Sequence, residues 1–134
     1  MRKINYLTII DLRQLESETF TTQTTYDALN RPTLVTQPDN SQHRPSYNEA
    51  GLLEKMEVQV QHESSFTEYV SNIDYDAKGQ RTDIFYGNGS KTRYFYDENT
   101  FRLTRLLTTR NFGSDVLQDL NYTYACPELD SGIR

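Results

Sequence analysis

The 134-residue sequence has no tryptophan, a single cysteine and few chain-breaking residues, with six glycines and four prolines. Because Cys126 has no second cysteine to pair with, the small disulfide-stapled class of secreted domain is excluded. No apolar run approaches the roughly 20 residues that a membrane-spanning helix needs. The first ten residues begin like a signal peptide, but Asp11 and Arg13 end the run and no cleavage site follows. The sequence therefore predicts no export signal and synthesis in the cytoplasm.

Basic residues are also scarce, since 14 Lys and Arg stand against 19 Asp and Glu and the net charge is −5. Binding to nucleic acid needs clustered basic residues that neutralise phosphates. The sequence has no such cluster, which argues against a nucleic-acid partner. Five arginines lie among acids and are expected to form a solvated face: Arg81, Arg93, Arg102, Arg105 and Arg110.

The chain is rich in residues that favour β-strands. Its ten tyrosines, six phenylalanines and sixteen threonines suit a pleated, half-buried surface. Residues 55–60 alternate, with Met56, Val58 and Val60 on one face, and residues 116–124 repeat the pattern. Two β-rich runs flank residues 87–90, Gly-Asn-Gly-Ser, which tolerate the positive φ of a tight hairpin. Residues 11–18 could form a short helix or an N-terminal strand. The sequence thus predicts an all-β domain of antiparallel hairpins.

An internal repeat organises the chain. A tyrosine followed by an acid or amide recurs at Tyr26-Asp27, Tyr47-Asn48, Tyr75-Asp76 and Tyr96-Asp97, with a defective copy at Tyr124-Ala125. The intervals of 21, 28, 21 and 28 residues add in adjacent pairs to a super-period of 49. A shift of 49 also lays Thr33 on Thr82, Val35 on Ile84, Ser41 on Ser90 and Arg44 on Arg93. The repeat predicts a β domain over residues 24–124, between a non-repeat segment, 1–23, and an irregular tail, 125–134.

Each repeat unit is predicted to form a strand, a turn and a strand. Asn or Gly stands where a left-handed residue would close a short loop, and a further turn is expected at Asp39-Asn40. The acid or amide after each tyrosine can accept hydrogen bonds from backbone N–H groups two residues on. The tyrosine ring would pack on the sheet, with its hydroxyl at the edge. The residues expected to build the repeat are Tyr26, Asp27, Arg31, Tyr47, Asn48, Gly51, Tyr75, Asp76, Gly79, Arg81, Gly87, Gly89, Tyr94, Tyr96 and Asp97.

Two motifs resemble the YD repeats of Rhs proteins: Tyr-Asp-Ala-Lys-Gly-Gln-Arg at residues 75–81, and Tyr-Gly-Asn-Gly at 86–89 followed by Tyr-Phe-Tyr-Asp at 94–97. Stretches at 26–32, 47–53 and 101–106 are similar to the Rhs-type B and C components of bacterial insecticidal Tc toxin complexes. The resemblance implies a twisted, curled β-sheet strip that, in exported full-length relatives, forms a hollow shell around a toxic C-terminal polypeptide. We therefore expect a structural, non-catalytic fragment of such a shell, with the remaining repeats as its partners. The self-cleaving aspartate motif and the toxin of the relatives have no counterpart in this sequence.

Four candidate sites for chemistry each have a simpler explanation. Residues 130–132, Asp-Ser-Gly, could supply one carboxylate of an aspartic-protease dyad, but that chemistry needs two. The acids of the repeat, Asp27, Asp76 and Asp97, could be a glycosidase pair or calcium ligands, yet turn capping explains all three. His43 and His62 lack partners at zinc-ligand spacing, and Cys126 lacks a His and acid that would activate it. We expect no catalytic residue, no metal and no cofactor.

The tyrosines raise a second functional hypothesis, a cell-surface module that binds glycans or a partner protein by stacking. The candidates are Tyr69, Tyr75, Tyr86, Tyr94, Tyr96, Tyr122 and Tyr124. Cross-strand aromatic packing explains the same residues, and the lack of tryptophan favours it. An exposed aromatic row beside polar groups would favour binding, whereas tyrosines locked between strands would favour a wall. Self-association through unpaired sheet edges is expected for an isolated strip.

Overall fold

The computed structural model describes residues 18–124, which form nine strands and no α-helix. The strands are β1 Gln23–Tyr26, β2 Pro32–Thr36, β3 Gln42–Tyr47, β4 Leu53–Gln59, β5 Thr67–Tyr75, β6 Arg81–Tyr86, β7 Lys91–Tyr96, β8 Leu103–Arg110 and β9 Asp115–Asn121. A short 3₁₀ helix, Asn111–Gly113, joins β8 to β9. The predicted all-β class is confirmed. Residues 11–17 of the helix candidate, Cys126 and the Asp-Ser-Gly at 130–132 lie outside the described residues.

All nine strands belong to one sheet, in the order β1 to β9, and every neighbouring pair is antiparallel. Each strand therefore pairs with the strands that precede and follow it in the chain. The sheet does not close on itself, and within residues 18–124 the outer edges of β1 and β9 carry no further strand. The fold is a meander of hairpins, as the alternation of β-rich runs and turn residues predicted.

The turns lie where the sequence placed them. Positive φ angles occur at Asn30 (59°), Asn40 (65°), Gly51 (78°), Gly79 (80°) and Gly89 (78°). Asn and Gly tolerate this left-handed region better than other residues, which explains their positions.

Gly87 corrects one expectation about its hairpin, because its φ is not in the left-handed region and its role is close approach. Its amide donates to the carbonyl oxygen of Tyr69 at 3.1 Å. A Cβ atom at this position would lie 1.8 Å from the carbonyl oxygen of Glu68. Glycine is therefore required where the β6–β7 turn meets β5.

The two faces of the sheet differ in chemistry. Cross-strand partners on one side, the apolar face, form rows such as Met56, Val70 and Tyr86, then Ile73, Ile84, Thr92 and Thr108, then Tyr94, Leu106 and Leu120. The opposite side, the ion-paired face, carries rows such as Arg44, Glu57 and Glu68, then Asp83, Arg93, Leu107 and Asp119. The alternation predicted for residues 55–60 is confirmed over β4, whereas Val60 lies beyond its end and is 41% exposed.

The interior is small because the described residues form a single layer. Ile73 and Ile84, at 5% and 7% exposure, are the buried large apolar residues, and the polar residues Ser90 and Thr92 are also buried. No side chain of the described residues falls below 2% exposure. Most apolar residues of β2 to β8 are half-buried by their cross-strand neighbours. Cross-strand pairs and turn hydrogen bonds, each worth about 1 kcal/mol or less, therefore hold the sheet together.

Candidate functional site

The repeated turn that follows each tyrosine, here called the YD turn, is held by its first side chain. In the first copy, Oδ1 of Asp27 accepts hydrogen bonds from the backbone N–H groups of Leu29 and Arg31, both at 2.9 Å. The backbone of Asp27 also donates to the carbonyl of Arg31 at 2.9 Å, which closes the loop. Oδ2 of Asp27 accepts from Nε of Arg31 at 2.8 Å. These hydrogen bonds, first among them that from the Arg31 backbone, hold the pKa of Asp27 below its ordinary value.

The other YD turns repeat this arrangement with small changes. Oδ1 of Asp76 accepts from the backbone N–H groups of Lys78 at 2.8 Å and Gln80 at 2.9 Å. Oδ1 of Asn48 accepts from Leu52 at 3.0 Å, so that a neutral amide serves the second turn. The turn after Asp97 is one residue longer, and its carboxylate accepts from the backbone of Thr100 at 2.7 Å and from the Thr100 hydroxyl. The acceptor oxygen is therefore the shared feature of the four turns, rather than the charge.

The tyrosines of the repeat tie consecutive YD turns together. Each hydroxyl donates to the carbonyl of the first strand residue after the previous YD turn. The four bonds run from Tyr47 to Pro32 at 3.1 Å, from Tyr75 to Leu53 at 2.6 Å, from Tyr96 to Arg81 at 2.9 Å and from Tyr124 to Leu103 at 2.8 Å. Tyr124 makes its bond although Ala125 replaces the acid. We call these four hydrogen bonds, from Tyr47, Tyr75, Tyr96 and Tyr124, the hydroxyl ladder. The ladder extends from β2 to the residues after β9.

A shift in strand register accompanies each repeat tyrosine. Tyr26 is paired with Pro32, Tyr47 with Leu53, Tyr75 with Arg81 and Tyr96 with Leu103, each next to an irregularity in the ladder. One residue on the opposing strand is left unpaired in each case, as in a β-bulge, which bends the strand locally. Sequence reasoning missed these bulges because they follow from the register of two strands and not from a local motif.

Arginines that end YD turns pack on the next tyrosine of the ladder. The guanidinium of Arg31 lies 4.6 Å from the centre of the Tyr47 ring, and that of Arg102 lies 5.1 Å from the Tyr124 ring. Cation–π contacts of this kind contribute about 0.5–1 kcal/mol at exposed sites. Arg102 is exposed, as expected for a solvated face, and it also packs on a tyrosine of the ladder.

Three of the other arginines pair with acids across neighbouring strands. Arg105 and Asp119 make a two-armed pair, with both nitrogen–oxygen distances at 2.7 Å. Arg93 reaches Asp83 at 3.1 Å, and Arg110 lies 3.8 Å from Asp115. The hydrogen bond from Arg105 lowers the pKa of Asp119, and the same bond raises that of Arg105. Exposed pairs contribute little to stability singly, about 0–1 kcal/mol each.

Tyr94 and Tyr96 lie close together on the apolar face. Burial raises the pKa of Tyr94, and the neighbouring Tyr86 raises it further. Burial also raises the pKa of Tyr96, with Tyr94 as the next cause. Tyr86 accepts a hydrogen bond from the Thr92 hydroxyl at 3.3 Å, whereas Tyr69 is 50% exposed. Tyr94 and Tyr96 are thus packed against neighbouring strands, whereas Tyr26 and Tyr124 are 56% and 49% exposed.

The candidates for chemistry do not come together in the structure. The carboxylates of Asp27, Asp76 and Asp97 each cap their own turn, and no group of three His, Cys, Asp or Glu within residues 18–124 could hold a metal ion. His43 is paired with Val35 and Val58 in the sheet, while His62 lies in the β4–β5 loop with φ 72°. In this part of the chain no helix is both long and apolar enough to cross a bilayer.

Similar proteins were found by comparison of sequence and of structure. The chain is 32% identical over 117 residues to the toxin subunit YenC1 of Yersinia entomophaga, a match that covers 84% of the chain and 12% of the subunit. It matches the crystal structure of TcdB2-TccC3 with a TM-score of 0.75 and 29% identity. It matches the Photorhabdus luminescens Tc holotoxin pore with a TM-score of 0.73 and 30% identity. These matches cover 81% and 79% of the chain, but 5% of each solved chain. No protein-family profile matches the chain.

Proposed function

Since the chain is an Rhs-type repeat sequence related to the components of Tc toxins, we propose that it is a non-catalytic segment of the wall of a toxin shell. Residues 24–124 would form the wall, with further repeats as partners at the sheet edges. The chain spans about one eighth of the curated relative that it matches, so this role concerns one stretch of a much larger assembly.

The observation that supports this role most directly is the hydroxyl ladder. Four tyrosines, 21 to 28 residues apart, each bind the strand start after the preceding YD turn. The same bond recurs in each repeat unit. The strip can therefore be extended by further units without a new kind of contact. A sheet built in this way suits a continuous wall, because each repeat needs only its neighbours.

The two edges of the sheet are the places where the strip would continue. Edge strands present unpaired N–H and C=O groups that can pair with another strand. In β9, Val116, Leu117 and Leu120 are 41–61% exposed, so apolar side chains accompany these backbone groups. We expect the isolated chain to self-associate through such edges, and light scattering that gives a stable monomer at high concentration would argue against it.

The alternative of a glycan-binding or protein-binding module has less support from the geometry. Stacking on a sugar requires rings with one free face, whereas the ladder tyrosines lie across neighbouring strands and use their hydroxyls on backbone carbonyls. The acids that a catalytic reading would need are engaged as turn acceptors. The same contacts therefore favour the structural role over both alternatives.

The wall role can be tested by transplantation. We would replace the matching stretch of toxin subunit YenC1 with residues 18–124 of this chain and compare the hybrid with the parent. A wall segment should leave the hybrid soluble, of unchanged size in gel filtration and as resistant to protease as the parent. The matched control is the hybrid with Gly87→Val. The valine side chain would clash with the carbonyl oxygen of Glu68, which should make the hybrid sensitive to protease.

Failure of the hybrid has a clear meaning when the isolated chain is measured beside it. If the isolated chain gives the β-rich spectrum of this fold while the hybrid aggregates, the segment does not function as wall. Retention of the isolated chain on a glycan array, together with an unstable hybrid, would replace the proposal by the binding module.

A further inference from the structure

A large groove lies on the ion-paired face, where β6, β7 and β8 meet the short helix Asn111–Gly113. Its volume is about 800 Å³, which is in the range of pockets that hold small ligands or a few residues of peptide. Its apolar lining includes Phe85, Leu107 and Phe112. The wall role makes no use of this groove.

The charge of the lining is opposite to that of the chain. Three cations line the groove, namely Lys91, Arg93 and Arg110, and none of the lining residues is an Asp or Glu. The whole chain, in contrast, carries a net charge of −5. We call this site the cationic groove. Its charge fits an anionic ligand.

Parts of these cations are not engaged by the protein. Asp83, which lies beside the groove, accepts from Nζ of Lys91 at 2.8 Å and from Nε of Arg93 at 3.1 Å. The hydrogen bond from Arg93 to Asp83 uses Nε and not the terminal amino groups. Nε of Arg110 lies 3.8 Å from Asp115, beyond hydrogen-bond distance. The side chains of Arg93 and Arg110 are 51% and 54% exposed although each lies near an acid. Both guanidinium groups therefore retain N–H donors for a carboxylate.

Phe112 adds an apolar contact at the rim of the groove. Its side chain is fully exposed. Its φ of 56° is in the left-handed region, as are the φ angles of its neighbours Asn111 and Gly113. A phenylalanine in this region is strained by about 1–2 kcal/mol, and no burial within the described residues compensates for it. The ring is thus presented to a partner that can cover it.

We propose that the cationic groove binds an acidic polypeptide segment, with carboxylates on Arg93 and Arg110 and an apolar side chain on Phe112. A nucleic acid fits less well, because neutralising its phosphates needs a larger cluster of basic residues than three cations in a chain of net charge −5. The mixture of apolar lining and spaced guanidinium groups also suits alternating acidic and apolar side chains better than one small anion. This proposal does not depend on the wall role.

The 49-residue repeat supplies a matched control in the same molecule. Arg44 is the repeat equivalent of Arg93, and it too pairs through Nε with an acid on a neighbouring strand, Glu57 on β4, at 2.9 Å. It is 47% exposed, against 51% for Arg93. Arg44 does not line the groove. Arg44→Gln and Arg93→Gln therefore remove the same charge from equivalent positions, with the groove as the difference.

The test is a fluorescence anisotropy titration of the full chain with a labelled peptide of three Glu-Leu-Glu-Gly repeats. We expect saturable binding that weakens as salt is raised. Arg93→Gln, Arg110→Gln and Phe112→Ala should each raise Kd by about fivefold. Arg44→Gln should leave Kd within about twofold of the wild type. Circular dichroism and the melting temperature of each variant show that the fold is retained.

Several outcomes would overturn the proposal. It is wrong if Arg44→Gln weakens binding as much as Arg93→Gln, because the effect would then be that of net charge. The proposed preference for an acidic segment is also wrong if a Lys-Leu-Lys-Gly peptide binds equally well, or if no saturable binding is seen. Tighter binding of a single-stranded oligonucleotide would show that the groove prefers phosphates to carboxylates, which contradicts the proposal. None of these results bears on the hybrid experiment, which measures the wall.

Discussion

The hydroxyl of Tyr75 donates to the carbonyl oxygen of Leu53 at 2.6 Å and joins residues 22 positions apart in the chain. Tyr75→Phe keeps the ring and removes this bond. We expect a loss of about 1 kcal/mol in the free energy of unfolding, or about 4 °C in Tm, because the Leu53 carbonyl loses its partner. Tyr69→Phe is the control, since Tyr69 is 50% exposed. Equal effects of the two changes in thermal unfolding would contradict the ladder.

The acceptor of the YD turn can be tested at Asp76. Asp76→Ala removes the oxygen that binds Lys78 and Gln80, and by analogy with a lost side-chain cap it should cost about 0.5–2 kcal/mol. Asp76→Asn keeps an acceptor oxygen, as Asn48 does in the second turn, and should be milder. Urea unfolding of both variants gives the comparison. Equal damage would show that the negative charge is needed, which would revive a metal or catalytic role.

The two glycines of the β6–β7 turn should respond differently to alanine. Gly87→Ala places a Cβ against the Glu68 carbonyl, so the backbone must shift, at a cost of about 1–3 kcal/mol. Gly89→Ala meets no atom within 4 Å but must hold φ 78°, at a cost of about 1 kcal/mol. Gly89→Asn should recover part of that loss, while Gly87→Asn should not. A Gly87→Ala variant as stable as wild type would disprove the close approach.

Tyr94 and Tyr96 separate packing from ligand binding. Each ring is half-buried on the apolar face, so truncation to alanine should cost about 1–3 kcal/mol, less than for a fully buried ring. Tyr96→Ala should be the more damaging, because it also removes the bond to Arg81. Differential scanning calorimetry measures both. Wild-type stability in both variants, with lost binding on a glycan array, would favour the binding module.

Stability should fall in acid because several carboxylates have lowered pKa values in the folded state. They are Asp27, Asp39, Glu57, Asp97 and Asp119. A lowered folded pKa stabilises the fold above the unfolded pKa, about 4 for these residues, and this contribution is lost as pH falls through the folded value. We expect a constant Tm from pH 7 to about 5 and a decline below it. An unchanged Tm at pH 3 would contradict these shifts.

Local sequence signals were sufficient for the hairpins and most turns. Positive φ is required at Asn30, Gly51 and Gly79, and Asn and Gly are the residues that tolerate it, so the turns could be read directly. Strand alternation over β4 likewise follows from the two-residue period of a half-buried strand. In both cases the physical cause acts over a few neighbouring residues, which a single sequence displays.

Contacts between strands could not be predicted in the same way. The requirement for glycine at position 87 comes from the Glu68 carbonyl, and the stack of Arg102 on Tyr124 joins residues 22 positions apart. Both depend on register, which the bulges opposite the repeat tyrosines alter by one residue. The groove beside Phe112 also arises from strands that meet only in the fold. The 49-residue period was the one long-range signal in the sequence.

The 49-residue period defines a structural unit that could be removed or added as a whole. The carbonyl oxygens of Pro32 and Arg81, 49 residues apart, are equivalent acceptors in the ladder, and the hydroxyls of Tyr47 and Tyr96 are the equivalent donors. Excision of residues 33–81 would therefore join Pro32 to Thr82 and bring the Tyr96 hydroxyl opposite the Pro32 carbonyl. The shortened chain would keep both of its terminal strands and lose two hairpins. Length can thus change in whole units of two hairpins while each ladder hydroxyl that survives still has a carbonyl acceptor at the equivalent position.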